Sequence, residues 1–193
     1  MTTTGRRRPR AGGAGGRQAP TPGSAADDSP DADPAEVART LVLRSLNAAP
    51  RTRAQLADLL ASRGVPDGVA LACLDRFEEL RLIDDAEYAR MWVRSRHEQR
   101  GLPRRTLAFE LTRKGVGRED IDAALELIDD DDEFEAARVL AHRKAGATNG
   151  LAPHVRRRRL MGALLRRGYS TEVASRAVAE ALTDEGDDDV GGW

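Results

Sequence analysis

The chain has 193 residues, 40% of them hydrophobic, a formal net charge of −1 and one cysteine, Cys73. That length suits one ordinary domain or a row of small modules, and one cysteine excludes an internal disulfide framework or a cysteine-rich zinc site. The longest apolar runs, such as Leu41-Val42-Leu43, fall far short of the roughly 18–20 residues of a membrane span, and the N-terminus lacks a signal-peptide stretch. A cytoplasmic protein with no membrane contact is expected.

The near-zero charge is a sum of unlike parts. Residues 1–34 hold six Gly, five Pro, four Asp and the arginines Arg6, Arg7, Arg8, Arg10 and Arg17. They contain too little apolar surface to offset ordering entropy, so a disordered arm is expected. Residues 183–193 carry Asp184, Glu185, Asp187, Asp188 and Asp189 with no base, the pattern of an acidic tail. The body between them is mildly basic.

From residue 36 onward the apolar residues recur at helical spacing and no stretch alternates as a strand would. About nine helices are expected. Asp33-Pro34-Ala35-Glu36 offers a cap followed by proline at the first helical position, and Thr52 to Gln55 and Asp84 to Glu87 have capping-box spacing. Gly64, Gly101, Gly115, Gly146 and Gly168 are candidate helix stops.

Two anchors recur along this body. The first is an Ala-Arg pair with an acid three residues before the arginine: Glu36 and Arg39, Glu87 and Arg90, Glu135 and Arg138. These arginines are read as structural, each closing a local helix pair. The second is a leucine-bearing helix that ends in glycine: Leu56, Leu60 and Gly64, then Leu107, Leu111 and Gly115, then Leu160, Leu164 and Gly168. Arginine and glycine are 25 residues apart in the first two cases and 30 in the third.

The body therefore divides into three-helix repeats at 36–83, 86–128 and 133–182, the extra residues of the third lying near Gly146, Asn149 and Gly150. Beyond each glycine two registers stay open. Val65 to Val69 and Tyr169 to Val173 are four residues apart, but Val116 to Ile121 is five. Repeats this small are marginal alone and lean on their neighbours. The expected fold class is all-α: three tandem three-helix repeats in an elongated, curved array with disordered termini.

Catalytic and metal chemistry have no visible constellation. His97, His142 and His154 form no ligand pair, and no phosphate loop, GxSxG or HExxH motif occurs. The acid run Asp129 to Glu133 is read as a helix cap rather than a Mg²⁺ cluster. Cys73, Tyr88 and Trp92 are read as core. No cofactor and no enzymatic activity are expected.

The positive feature is clustered arginine. One cluster runs from Arg94 to Arg118, with Arg94, Arg96, Arg100, Arg104, Arg105 and Lys114 as contact candidates. The other contains Arg156, Arg157, Arg158, Arg159, Arg166 and Arg167 with no acid among them. Guanidinium groups pair bidentately with carboxylate and phosphate, so such surfaces suit acidic protein or a nucleic-acid backbone.

The middle repeat carries Leu82-Ile83-Asp84-Asp85, Glu87-Tyr88-Ala89-Arg90, Arg94-Ser95-Arg96, Arg100-Gly101-Leu102-Pro103 and Lys114-Gly115-Val116 in that order. It resembles the bacterial RecX family, and the resemblance extends over 36–182. It implies tandem three-helix repeats that bind the RecA recombinase filament within its groove, bridging subunits and suppressing ATP hydrolysis, strand exchange and coprotease activity; a monomer is the separate expectation for this chain. On that reading the partner is the filament, with single- or double-stranded DNA as a further contact. The alternative is an independent helical DNA-binding protein; a helical scaffold without a nucleic-acid role is a third reading.

Overall fold

A computed structural model describes residues 33–188, with side chains as far as Thr183. The arm expected over 1–34 and the acidic tail expected over 183–193 lie largely outside the described residues, although the backbone of the last helix continues to Asp188.

The described residues form nine α-helices and no strand. They are α1 (Pro34–Ala48), α2 (Arg53–Ser62) and α3 (Asp67–Glu79); α4 (Asp85–Arg100), α5 (Arg104–Arg113) and α6 (Arg118–Leu125); and α7 (Asp130–Ala145), α8 (Pro153–Arg167) and α9 (Thr171–Asp188). Local chemistry sets most starts. The Asp33 carboxylate accepts the Ala35 N–H ahead of Pro34. Thr52 and Gln55 close a reciprocal capping box, and Asp84 accepts the Glu87 N–H. The acid run before α7 is itself a cap: Asp129 accepts the Asp132 N–H at 2.7 Å, and Asp132 accepts the Asp129 N–H. The three repeated pairs, Glu36–Arg39, Glu87–Arg90 and Glu135–Arg138, all form along their helices at 2.8–2.9 Å.

Each triplet of helices closes on its own core. Leu56 and Leu60, Leu107 and Leu111, and Leu160 and Leu164 are almost completely buried in three separate clusters. Tyr88 is buried, while Trp92 and Cys73 are half-buried against their cores.

The helix starts also settle the register beyond each glycine. Val65, Val116 and Tyr169 are buried just before α3, α6 and α9. Five residues further on stand Ala70, Ile121 and Ala174, all against their cores. Val69 and Val173, which suggested a spacing of four, sit one position earlier and, like Ala70, pack partly buried against the same cores. Cys73 then falls in line with Ala124 and Ala177, a small core position in every repeat.

The third repeat departs from the sequence expectation in one respect. Gly146 follows the last residue of α7 but has φ −54 and opens a 3₁₀ turn, Gly146–Thr148, rather than turning left-handed. The additional residues are shared between this turn and an extra first turn of α8. Arg156 in that added turn donates to Thr148 Oγ1 and Asn149 Oδ1, so polar side chains fold the insertion back onto the helix.

Consecutive repeats meet where the end of one middle helix sits on the start of the preceding one. The Thr52 hydroxyl donates to the Lys114 carbonyl at 2.6 Å, and the Thr106 hydroxyl donates to the Arg167 carbonyl at 2.8 Å. The next residue in each case, Gly115 or Gly168, has positive φ, and a Cβ there would overlap Ala54 or Thr106. Gly64 has φ +73 but faces open space.

Gly64→Ala is therefore expected to cost about 1–2 kcal/mol for the left-handed backbone alone. Gly168→Ala adds about 1–3 kcal/mol for the overlap at the junction. Urea unfolding of the two variants checks the ordering; equal losses would show that the close approach carries no energy.

Candidate partner-binding surface

The first arginine cluster is divided by the fold. Arg94 and Arg100 on α4 and Arg105 on α5 are exposed. Arg96 and Lys114 turn inward to Trp92, with the guanidinium carbon 4.1 Å and Nζ 4.0 Å from its ring centroid. Tyr88 stacks on the same indole, and Trp92 Nε1 donates to Glu110 at 2.8 Å. These two cations are held in a cation–π and carboxylate cluster that ties α4 to α5.

Arg104 is committed to the junction between the second and third repeats. Its Nε donates to Glu133 at 2.9 Å, and its terminal nitrogens reach Asp130 and the Ile128 carbonyl. The Glu133 side chain is only 9% exposed, so the carboxylate is shielded from solvent while the guanidinium is partly exposed. The hydrogen bond to Glu133, more than any other contact, holds the guanidinium above its ordinary pKa.

Tyr169 crosses the same junction, its hydroxyl donating to the Gly101 carbonyl at 2.6 Å. Burial pushes its phenol up to about 12. Arg167 donates to the Arg100 carbonyl and Arg156 holds the 3₁₀ turn, so both are also engaged within the fold.

What remains of the contact candidates are Arg94 and Arg100 on α4, Arg105 on α5 and Arg157, Arg158, Arg159 and Arg166 on α8, all exposed. Arg158, Arg159 and Arg166 share an open groove of about 590 Å³ with Lys144 of α7. Its floor includes Ala147, Gly162 and Ala163, and no carboxylate lines it. Lys144 was not legible as a site residue: it lies in the last turn of α7, fourteen residues before Arg158, and the packing of α7 against α8 brings the two together. A second groove of about 670 Å³ brings Arg100, Arg143 and Arg167 together with Glu98, Asp132 and Glu135, a mixed surface without net preference for anions.

Among the described residues no group of three His, Cys, Asp or Glu side chains is placed to hold a metal ion, and no helix is long and apolar enough to cross a membrane. Burial pushes the Cys73 thiol up, which disfavours the reactive thiolate. The arrangement is an all-α repeat protein with exposed guanidinium groups on α4, α5 and α8.

Family comparison places this class. Residues 38–77, 84–125 and 130–178 match the first, second and third three-helix domains of RecX. The chain belongs to the RecX family. It is 50% identical over 159 residues to the regulatory protein RecX of Streptomyces lividans, covering 82% of this chain and 85% of that one. It is 49% identical over 173 residues to the regulatory protein RecX of Thermobifida fusca, covering 90% and 91%. The crystal structure of RecX from Lactobacillus salivarius shares the fold at TM-score 0.73 and 22% identity, over 78% of this chain and 98% of that one.

Arg104→Ala leaves the shielded Glu133 carboxylate without its partner and is expected to cost about 2 kcal/mol, reduced from a fully buried pair because Arg104 is partly exposed. Denaturant midpoints measure it.

Tyr169→Phe is expected to cost about 1 kcal/mol at neutral pH through the lost hydrogen bond. The raised pKa also gives the wild type a stabilisation that is complete below the ordinary tyrosine value of about 10 and is lost as pH rises toward 12. Across that window the wild type should lose its advantage over Tyr169→Phe and then fall below it, since two units correspond to about 2.7 kcal/mol; parallel curves would show that Tyr169 does not titrate in this way.

Proposed function

We propose that this chain regulates a RecA-type recombinase filament by binding it, without catalysis, and that this lowers filament ATP hydrolysis, strand exchange and coprotease activity. Regulation of DNA repair, recombination and the SOS response follows from that activity. Membership of the RecX family supports the reading. The observation that carries it is the set of exposed arginines on α8, Arg157, Arg158, Arg159 and Arg166, in a region with no acid of its own. A filament of protein subunits and DNA offers the repeated anionic groups that such a surface pairs with. Arg94, Arg100 and Arg105 extend the contact set. Arg96, Arg104, Lys114, Arg156 and Arg167 support it by holding helices in place.

The test is RecA-dependent ATP hydrolysis on single-stranded DNA, titrated with this protein at micromolar concentration. Progressive inhibition is expected, and unchanged hydrolysis would refute the proposal. A triple charge reversal, Arg158→Glu, Arg159→Glu and Arg166→Glu, should raise the concentration needed for inhibition by at least about tenfold, a loss of about 1.4 kcal/mol or more. Arg118→Ala, at an exposed arginine paired with Asp122, should inhibit like the wild type.

A further inference from the structure

Counted back from the stop glycines, α5 and α8 carry arginine at the same two places. Arg105 and Arg113 lie ten and two residues before Gly115, and Arg158 and Arg166 lie ten and two before Gly168. Eight residues span about 12 Å along a helix and end about 80° round it, so the two arginines bound one broad side of the helix with the fourth residue between them. All four arginines are exposed, and none has a carboxylate partner among the described residues. The corresponding residues of α2 are Ala54 and Ser62, so the pair belongs to the second and third repeats alone.

Midway between Arg105 and Arg113 stands Phe109, 63% exposed, with the Arg113 guanidinium 5.9 Å from its ring. The equivalent positions of α2 and α8 are Asp58 and Gly162, an outward polar residue and no side chain at all. A phenylalanine at that site contributes nothing to its own core. One exposed apolar residue needs no explanation; an aromatic ring bracketed by two unneutralised arginines on one face combines the two groups that single-stranded nucleic acid binds, a stacking platform and a phosphate pair. The one acid on α5, Glu110, faces Trp92 instead.

We propose that the outer face of α5 binds single-stranded nucleic acid, with Phe109 stacked on an unpaired base and Arg105 and Arg113 on the flanking phosphates. Arg158 and Arg166 continue the track on α8. The junction supports this continuity, because the C-terminal end of α8 rests on the first turn of α5 through Arg167 and Thr106. A duplex is disfavoured, since its base faces are already stacked. The proposal deepens the filament reading by naming the component that α5 touches, and it rests on that reading only for its biological setting.

The experiment is fluorescence anisotropy of a labelled oligothymidylate with the full chain and no recombinase, at low salt. Phe109→Ala should weaken binding by roughly tenfold or more, and Phe109→Tyr should restore most of it. Duplex of the same length should bind equally to wild type and Phe109→Ala. A strand of abasic sites should also bind the two proteins equally, because the partner of the ring is gone. Arg105→Ala with Arg113→Ala should lower the salt slope by about 1.4, at about 0.7 per phosphate contact on a single strand.

Equal binding of wild type and Phe109→Ala to the oligothymidylate would overturn the proposal. So would a preference for duplex. No strand binding at low salt, together with loss of ATPase inhibition in Phe109→Ala, would overturn it by assigning the face to a protein partner. Strand binding as expected with no inhibition by the wild type would uphold this inference while the filament reading failed.

Discussion

Every repeat after the first meets its predecessor through one kind of contact: a helix-terminal carbonyl accepts a threonine hydroxyl from the start of the preceding middle helix, the cap residue in α2 and the first turn in α5. Thr52 meets Lys114 in this way and Thr106 meets Arg167. The contact satisfies a carbonyl that the helix itself leaves unpaired, and it seats a glycine where a side chain has no room. Three small cores, each of about a dozen residues or fewer, would be marginal separately; the seat couples them.

The same junctions sort the charges. Arg53 and Arg104 both begin a middle helix, eleven residues before its stop glycine. Arg53 pairs with Asp75 and Glu78 of α3, while its backbone N–H meets Asp85 at the start of α4. Arg104 reaches Asp130 and Glu133 at the start of α7. Arg157 occupies the corresponding place in α8, but no described repeat follows it and it remains exposed. The same position is thus ion-paired in the first two repeats, within its own repeat for Arg53 and across the junction for Arg104, and exposed in the third. This is why a cluster read from sequence as six equivalent cations resolves into holding groups and presenting groups.

Much of the fold was legible because its causes are local. Capping side chains lie within three residues of the N–H groups they accept, and the Glu–Arg pairs lie one helical turn apart, so both can be seen in a linear string. The leucine pairs before Gly64, Gly115 and Gly168 mark the buried stripe in the same way. The register beyond each glycine was not legible, since Ala70 and Ala174 are small and uninformative while Val69 and Val173 draw the eye. The proposed binding surface was legible only in part. Arg158, Arg159 and Arg166 stood out by their density, whereas Lys144 and Phe109 had no local signal.

By itself, then, the amino-acid sequence determined the helical class, the threefold repetition, the helix starts and the regions rich in arginine. All of these depend on interactions between residues a turn or so apart, or on a periodicity that repeats in the chain. Tertiary structure decided which arginines are spent on cohesion, which carboxylates reach them, and which ring stays in solvent. Glu133 is 29 residues from Arg104 and Gly101 is 68 from Tyr169; nothing in a linear reading brings such groups together. Their pairing arises only when one helix end is seated on another.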